Sequence, residues 1–303
     1  MFWNNRLLKK LPLFIIVFGI LSGMLCSCKP SGGKNGSNTE ETTAINTSEY
    51  IKPIYTEIRE NLNIPYTSVI NEKGEKISLL LDIYAPVGGS AIQRPAIIWV
   101  HGGGFSGGSK DGGIEKDFAN EFAKRGYVTV NINYRLREKP EADWPGTFRD
   151  ATADAAAAID WLAANSEKYG VRKDKIAFAG YSAGAGTVVN LCYRDGQAAK
   201  WNKKSVFAVI ALASSELWMG RVQESDPPCL LVHGTKDDVV PYSNSQSLAN
   251  DLSSKNVRNQ LYTLPDITHD ISPRYNEITD AITQFLYKEL TGKDAAINIR
   301  KGS

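Results

Sequence analysis

Between about residue 65 and residue 290 the apolar positions alternate between two periods. Short runs rich in Val, Ile and aromatic residues read as strands: Pro65 to Ile70, Lys76 to Tyr84, Ala96 to Val100, Tyr127 to Ile132, Lys175 to Ala179, Val206 to Leu212, Leu230 to Val232 and Gln260 to Leu264. The first two flank Asn71-Glu72-Lys73-Gly74, a hairpin turn sequence. The later strands are separated by helix-period stretches at Ile114 to Arg125, Thr147 to Tyr169, Ala183 to Tyr193, Ser243 to Lys255 and Pro273 to Leu290. Thr147, with Asp150 three residues on, has the form of a capping box at the start of the second helix. An opening hairpin followed by strand and helix in alternation predicts an α/β domain, its mostly parallel sheet covered on both faces.

Charge narrows the functional classes. With 35 Lys+Arg against 33 Asp+Glu and no basic runs, the chain has no excess for neutralising a phosphate backbone, so no nucleic-acid partner is expected. Three His and four Cys, two of those Cys within the first 28 residues, leave no four-thiolate site downstream, and His-Glu-x-x-His is absent; no metal site is expected. Cys192 and Cys229 sit in apolar runs and read as buried free thiols, a disulfide being the alternative in an oxidising compartment.

The N-terminus reads as an address. Arg6, Lys9 and Lys10 precede an apolar run from Leu11 to Leu25, a secretory signal pattern that is short for a membrane span. Leu25-Cys26-Ser27-Cys28 resembles the lipobox of bacterial lipoproteins, which implies that Cys28 is lipidated and that the chain is exported and held to a membrane of the cell envelope. The expected organisation is a signal peptide over 1–27, a flexible Gly/Ser/Asn/Thr tether over 28–48, one folded domain over 49–291, and a tail over 292–303.

Four local features carry chemistry. Gly180-Tyr181-Ser182-Ala183-Gly184 follows a strand and opens an apolar helix, the strand-turn-helix context of Gly-x-Ser-x-Gly, which strains the serine backbone and exposes Ser182 Oγ at the sheet's carboxyl edge. His101-Gly102-Gly103-Gly104-Phe105 also follows a strand, and glycine-freed N–H groups there suit an oxyanion. Gly102-x-Gly104-x-x-Gly107 fits a dinucleotide fingerprint as well, but the next strand ends at Asn131-Ile132-Asn133 with no acidic residue for a ribose. In His233-Gly234-Thr235-Lys236-Asp237-Asp238 a carboxylate lies just past a strand end, where it either orients an imidazole or caps the next helix. His269 lies between the last strand and the last helix; with His101 and His233 inside glycine-containing motifs, it is the histidine left to act as base.

The order Ser182, Asp237, His269 is that of α/β-hydrolases. From Leu79 to Leu290 the chain resembles a carboxylesterase of that superfamily, near its HGGG group and the small carbohydrate-ester esterases; Leu81-Asp82-Ile83-Tyr84-Ala85-Pro86 and Asn133-Tyr134-Arg135-Leu136 share the likeness. The resemblance implies the α/β-hydrolase fold with a mostly parallel eight-stranded sheet, Asp237 as the acid, and the N–H groups of Gly103, Gly104 and Ala183 as oxyanion donors. It also implies ester hydrolysis with no cofactor. Related chemistries left open are an arylformamidase-like hydrolase, a serine peptidase, and a catalytically silent binding relative. The segment from Ser214 to Pro228 is too short for a multi-helix cap, so short acyl groups and a bulky alcohol, such as an acetylated or feruloylated plant polysaccharide, are the expected substrates. Trp144 and Trp218, expected in loops at the same edge, would stack on a sugar or be packed.

Overall fold

The computed structural model of the chain describes residues 48–89, 93–193, 203–215 and 221–300. Cys28, the signal and tether segments and Trp218 lie outside the described residues. The strands are β1 (Ile58–Ile70), β2 (Lys76–Pro86), β3 (Arg94–Val100), β4 (Val128–Ile132), β5 (Val171–Tyr181), β6 (Val206–Leu212), β7 (Cys229–Gly234) and β8 (Asn259–Leu264). The helices are α1 (Gly113–Lys124), α2 (Trp144–Ala164), α3 (Ser166–Tyr169), α4 (Ala183–Cys192), α5 (Tyr242–Ser254) and α6 (Tyr275–Thr291). They build the expected α/β domain around one eight-stranded sheet of order β1-β2-β4-β3-β5-β6-β7-β8. β1 and β2 pair antiparallel, β2 pairs antiparallel with β4, and every later neighbour is parallel.

The expected helix from Thr147 to Tyr169 breaks at Asn165 into α2 and α3, β5 begins at Val171 rather than Lys175, and two further departures have a local cause. β1 starts at Ile58 rather than near Pro65, because β2 offers pairing partners out to Pro86. Register shifts around Asn61/Ile64, with Asn63 at φ +57° and its N–H donated to Asp82 Oδ1, break the alternation by which a strand is recognised. The capping box at Thr147 is not formed. Asp143 caps α2 instead, its carboxylate accepting from Gly146 N at 3.0 Å, while Thr147 Oγ1 donates to the carbonyl of Pro140 and Asp150 pairs with Arg137.

Each face of the sheet carries its own apolar layer. Phe118 and Phe122 of α1 and Ile278 and Ile282 of α6 cover Ile97, Trp99 and Ala179 on one face. On the other, Ala151 and Ile159 of α2, Val188 and Val189 of α4 and Leu248 of α5 cover Ile98, Val100 and Phe178. Cys192 and Cys229 are buried and unpaired, and burial pushes the Cys229 thiol up to about 12. β3 and β5 are neighbours, yet the helix after β3 packs on one face and the helix after β5 on the other. The chain diverges there, leaving a crevice at the strands' carboxyl ends, where α/β sheets bind ligands.

Candidate active site

The register aligns the strand ends at that crevice: Val100 pairs with Gly180, Tyr181 with Leu212, Leu212 with Val232, and Gly234 with Leu264. The loops after β3, β5, β7 and β8 therefore leave the sheet at one level.

Ser182 stands between β5 and α4 at φ +54°, ψ −120°, a conformation costing a non-glycine residue about 1–3 kcal/mol. Its N–H donates to Leu212 O and its carbonyl accepts from Gly186 N, both at 2.9 Å, so packing on both sides holds the strain. The two motif glycines leave room for this turn. A Cβ on Gly180 would lie 2.4 Å from Gly184 C, and one on Gly184 would lie 2.0 Å from Val100 O.

His269 Nε2 is 2.9 Å from Ser182 Oγ, and its Nδ1 is 2.8 Å from Asp237 Oδ2. Since a carboxylate only accepts, Nδ1 carries the proton and Nε2 is left bare toward the serine hydroxyl. The Asp237 side chain is wholly buried. Burial alone would raise its pKa, but hydrogen bonds from His269 Nδ1–H and the N–H groups of Val240 and Val239 outweigh that and hold it below the usual carboxylate value. Asp238, the neighbouring candidate, has no part in this arrangement; Asp237 Oδ1 accepts from Val239 N at 3.0 Å and Val240 N at 2.8 Å.

Two further residues hold the pair. The wholly buried side chain of His233 lies with Nε2 3.0 Å from both Asp237 Oδ2 and Val240 O, and with Nδ1 2.7 Å from Ser245 Oγ. Two acceptors at Nε2 place the proton there, so Nδ1 accepts from the serine, and burial lowers the ring's pKa and keeps it neutral. Tyr181 donates from its hydroxyl to His269 O at 2.7 Å and stacks on the imidazole with ring centroids 5.3 Å apart. Neither role was legible: the Tyr181 contact spans 88 residues, and although His233 lies only four residues before Asp237, nothing in the motif shows that the two side chains meet.

The glycine loop after β3 is as tightly set. Gly103 and Gly104 take φ +112° and +61°, and a Cβ on Gly103 would lie 2.2 Å from Gly107 O. Gly102 is held at both ends, its N–H donating to Glu115 Oε1 at 2.6 Å and its carbonyl accepting from His101 Nδ1 at 2.7 Å. Tyr134 stacks on His101 and donates to its carbonyl. Ala183 is the first residue of α4, where N–H groups have no intrahelical acceptor. A cavity of about 280 Å³ beside Ser182 is lined by Gly104, Phe105, Trp144, Phe148 and Val240. Trp144 is not in a loop as expected: it opens α2 and packs edge-on against Phe105 while lining this cavity.

Comparison with known proteins agrees with this architecture. A family profile described as BD-FAE matches residues 81–198, and one described as Phospholipase/Carboxylesterase matches 147–290. Gut esterase 1 of Caenorhabditis elegans is 31% identical over 146 residues, 45% of this chain and 24% of that protein. The chain thus spans about a quarter of that relative's length. Among solved structures, Thermogutta terrifontis esterase 2 phosphonylated by cyclosarin superposes with a TM-score of 0.63 at 22% identity, covering 80% of this chain and 96% of that one. A truncated form of a carbohydrate esterase from gut microbiota reaches 0.57 at 20% identity, over 79% and 98%. The fold is the α/β-hydrolase fold.

Proposed function

We propose that the chain is a serine carboxylic-ester hydrolase working through an acyl-enzyme. The observation that supports this most is the hydrogen-bonded series Ser182 Oγ, His269, Asp237, set at a strained turn beside the Gly103-Gly104 loop. In this reading Ser182 Oγ attacks the ester carbonyl while His269 Nε2 takes its proton, and Asp237 keeps the ring in the required tautomer. The N–H groups of Gly103, Gly104 and Ala183 receive the oxyanion, each worth roughly 100 to 1,000-fold. His269 returns the proton to the departing alcohol, and water repeats the attack on the acyl group. Esterase names among the relatives, and a carbohydrate esterase among the structural neighbours, agree with ester hydrolysis and favour an acetylated or feruloylated polysaccharide as substrate.

The acyl cavity of about 280 Å³, lined by Phe105, Trp144 and Phe148, is small, which favours short chains. Each methylene left in water forgoes about 0.8 kcal/mol. The test is a series of 4-nitrophenyl esters together with organophosphate labelling. Acetate to butyrate should be cleaved far faster than decanoate, and one phosphoryl group should be incorporated per chain at Ser182. No labelling and no turnover of any ester would overturn the reading; a decanoate preference would overturn its acyl part.

Cys28 belongs to the same proposal as the acylated residue that holds the enzyme to a membrane. Cys28→Ser should release the protein to the soluble fraction and abolish incorporation of labelled fatty acid. Continued incorporation would overturn that part.

A further inference from the structure

A second, larger cavity, of about 480 Å³, lies on the α1 side of the oxyanion loop. Its size is within the range of ligand pockets, roughly 300–1,000 Å³. Gly103 lines this cavity and Gly104 lines the aromatic one, so the two meet at consecutive residues of one loop. That loop passes close to the nucleophile: a Cβ on Gly102 would lie 3.3 Å from Ser182 Cβ. An ester whose carbonyl oxygen rests on this loop would extend into both cavities.

Proton transfer decides which half goes where. In the acylation step the Oγ–acyl bond forms, the bond from the acyl carbon to the alcohol oxygen breaks, and the proton of Ser182 passes through His269 Nε2 to that oxygen. The alcohol must therefore lie toward the His269 loop. Asp270, Ile271 and Ser272, which follow His269 directly, line the larger cavity, whereas Phe105, Trp144 and Phe148 line the other. We propose that the larger cavity is the leaving-group subsite and takes a bulky, uncharged, hydroxyl-bearing alcohol; this rests on the esterase reading above.

The chemistry of the walls sets the class. Ser109, Ser272, Glu115 and Asp270 present hydroxyls and carboxyls that pair with alcohol hydroxyls, and Ile114 supplies an apolar patch for a ring. No lysine or arginine is among the described residues that line the cavity, so an anionic alcohol would find no counter-charge and would meet Asp270. Glu115 Oε1 already accepts from Gly102 N–H, which ties the cavity wall to the loop that holds the carbonyl.

The experiment holds the acyl group at acetyl and varies the alcohol in the full-length protein. Ile114→Trp, from α1, and Ser272→Tyr, from the opposite wall, would each fill the cavity; thermal melts confirm that each folds. Both should lower kcat/KM for O-acetyl glucose roughly tenfold more than for ethyl acetate, mainly through KM, with no change in the acetate-to-butyrate ratio. The wild type should cleave 4-acetoxybenzamide faster than 4-acetoxybenzoate, and Asp270→Asn should narrow that gap. A shifted acyl-length ratio with an unshifted alcohol ratio would place the acyl group in this cavity and overturn the proposal. So would filled variants that change neither ratio, or a preference for the anionic ester. Failure of the esterase reading itself has a separate signature: no labelling of Ser182 and no turnover even of ethyl acetate.

Discussion

Asp237 is the most heavily used side chain of the site, and its substitution separates orientation from packing. Oδ1 accepts two backbone N–H groups and Oδ2 faces both His269 and His233. An amide offers only one acceptor atom, so Asp237→Asn leaves His269 in the wrong tautomer; turnover should fall on the order of 10⁴-fold. Asp238→Asn, outside the network, should stay near wild-type activity. Initial rates on 4-nitrophenyl acetate check the ranking, and equal losses would move the acid away from Asp237. Glu115 gives a prediction in pH. Burial raises its carboxyl to about 7, so protonation is favoured in the fold. A carboxyl with a folded pKa above its unfolded one stabilises most at low pH, and that contribution is lost as pH rises from about 4.5 to about 7. Glu115→Gln has no charge to desolvate, so its melting temperature relative to wild type should climb between pH 5 and pH 8. A difference that stays flat or falls would contradict this.

At the scale of elements, the β5-α4 turn and the β1-β2 hairpin use glycine for different reasons. Gly184 has no Cβ because Val100 O occupies that space, whereas Gly74 is at φ +79° with nothing within 4 Å. Gly74→Ala should therefore cost about 1–2 kcal/mol of backbone strain and leave activity intact. Gly184→Ala pushes α4 away from the end of β3, with a stability cost of about 1–3 kcal/mol or more. It also moves the Val100-His101 junction, from which the Gly102-Gly103-Gly104 loop departs, so turnover should fall even where the variant remains folded. Urea denaturation beside steady-state kinetics tests both variants. A further close approach ties the last two loops together: a Cβ on Gly234 would lie 2.2 Å from Ile267 O, and Lys236 N donates to that carbonyl. This contact sets the acid-bearing loop against the histidine-bearing one.

For the molecule as a whole, one buried ion pair joins the antiparallel edge to the site. Lys110 Nζ lies 2.9 Å from Asp82 Oδ2, with side chains 1% and 2% exposed, linking β2 to the loop that follows Gly102-Gly103-Gly104. Lys110→Met strands a buried carboxylate and should cost about 3–5 kcal/mol in chemical denaturation, while adding Asp82→Asn should recover much of the loss. No recovery would mean that Lys110 acts through packing rather than charge. In the sequence Asp82 lies in a stretch that only shares the family likeness and Lys110 belongs to no motif, since no local pattern pairs residues 28 apart. Legible along the chain was whatever has a period or a punctuation: the alternation of strand and helix, the parallel sheet, the glycine-rich turns at Gly102 and Gly180, and the order Ser182, Asp237, His269. Each follows from backbone sterics and side-chain spacing within about a dozen residues. The tertiary structure alone drew Tyr181 and Glu115 to the site, placed Trp144 at the head of a helix, and opened two cavities that meet at one loop. Those outcomes depend on which strand ends lie side by side and on which face each crossover helix packs. Such long-range choices leave no trace in the spacing of neighbouring residues.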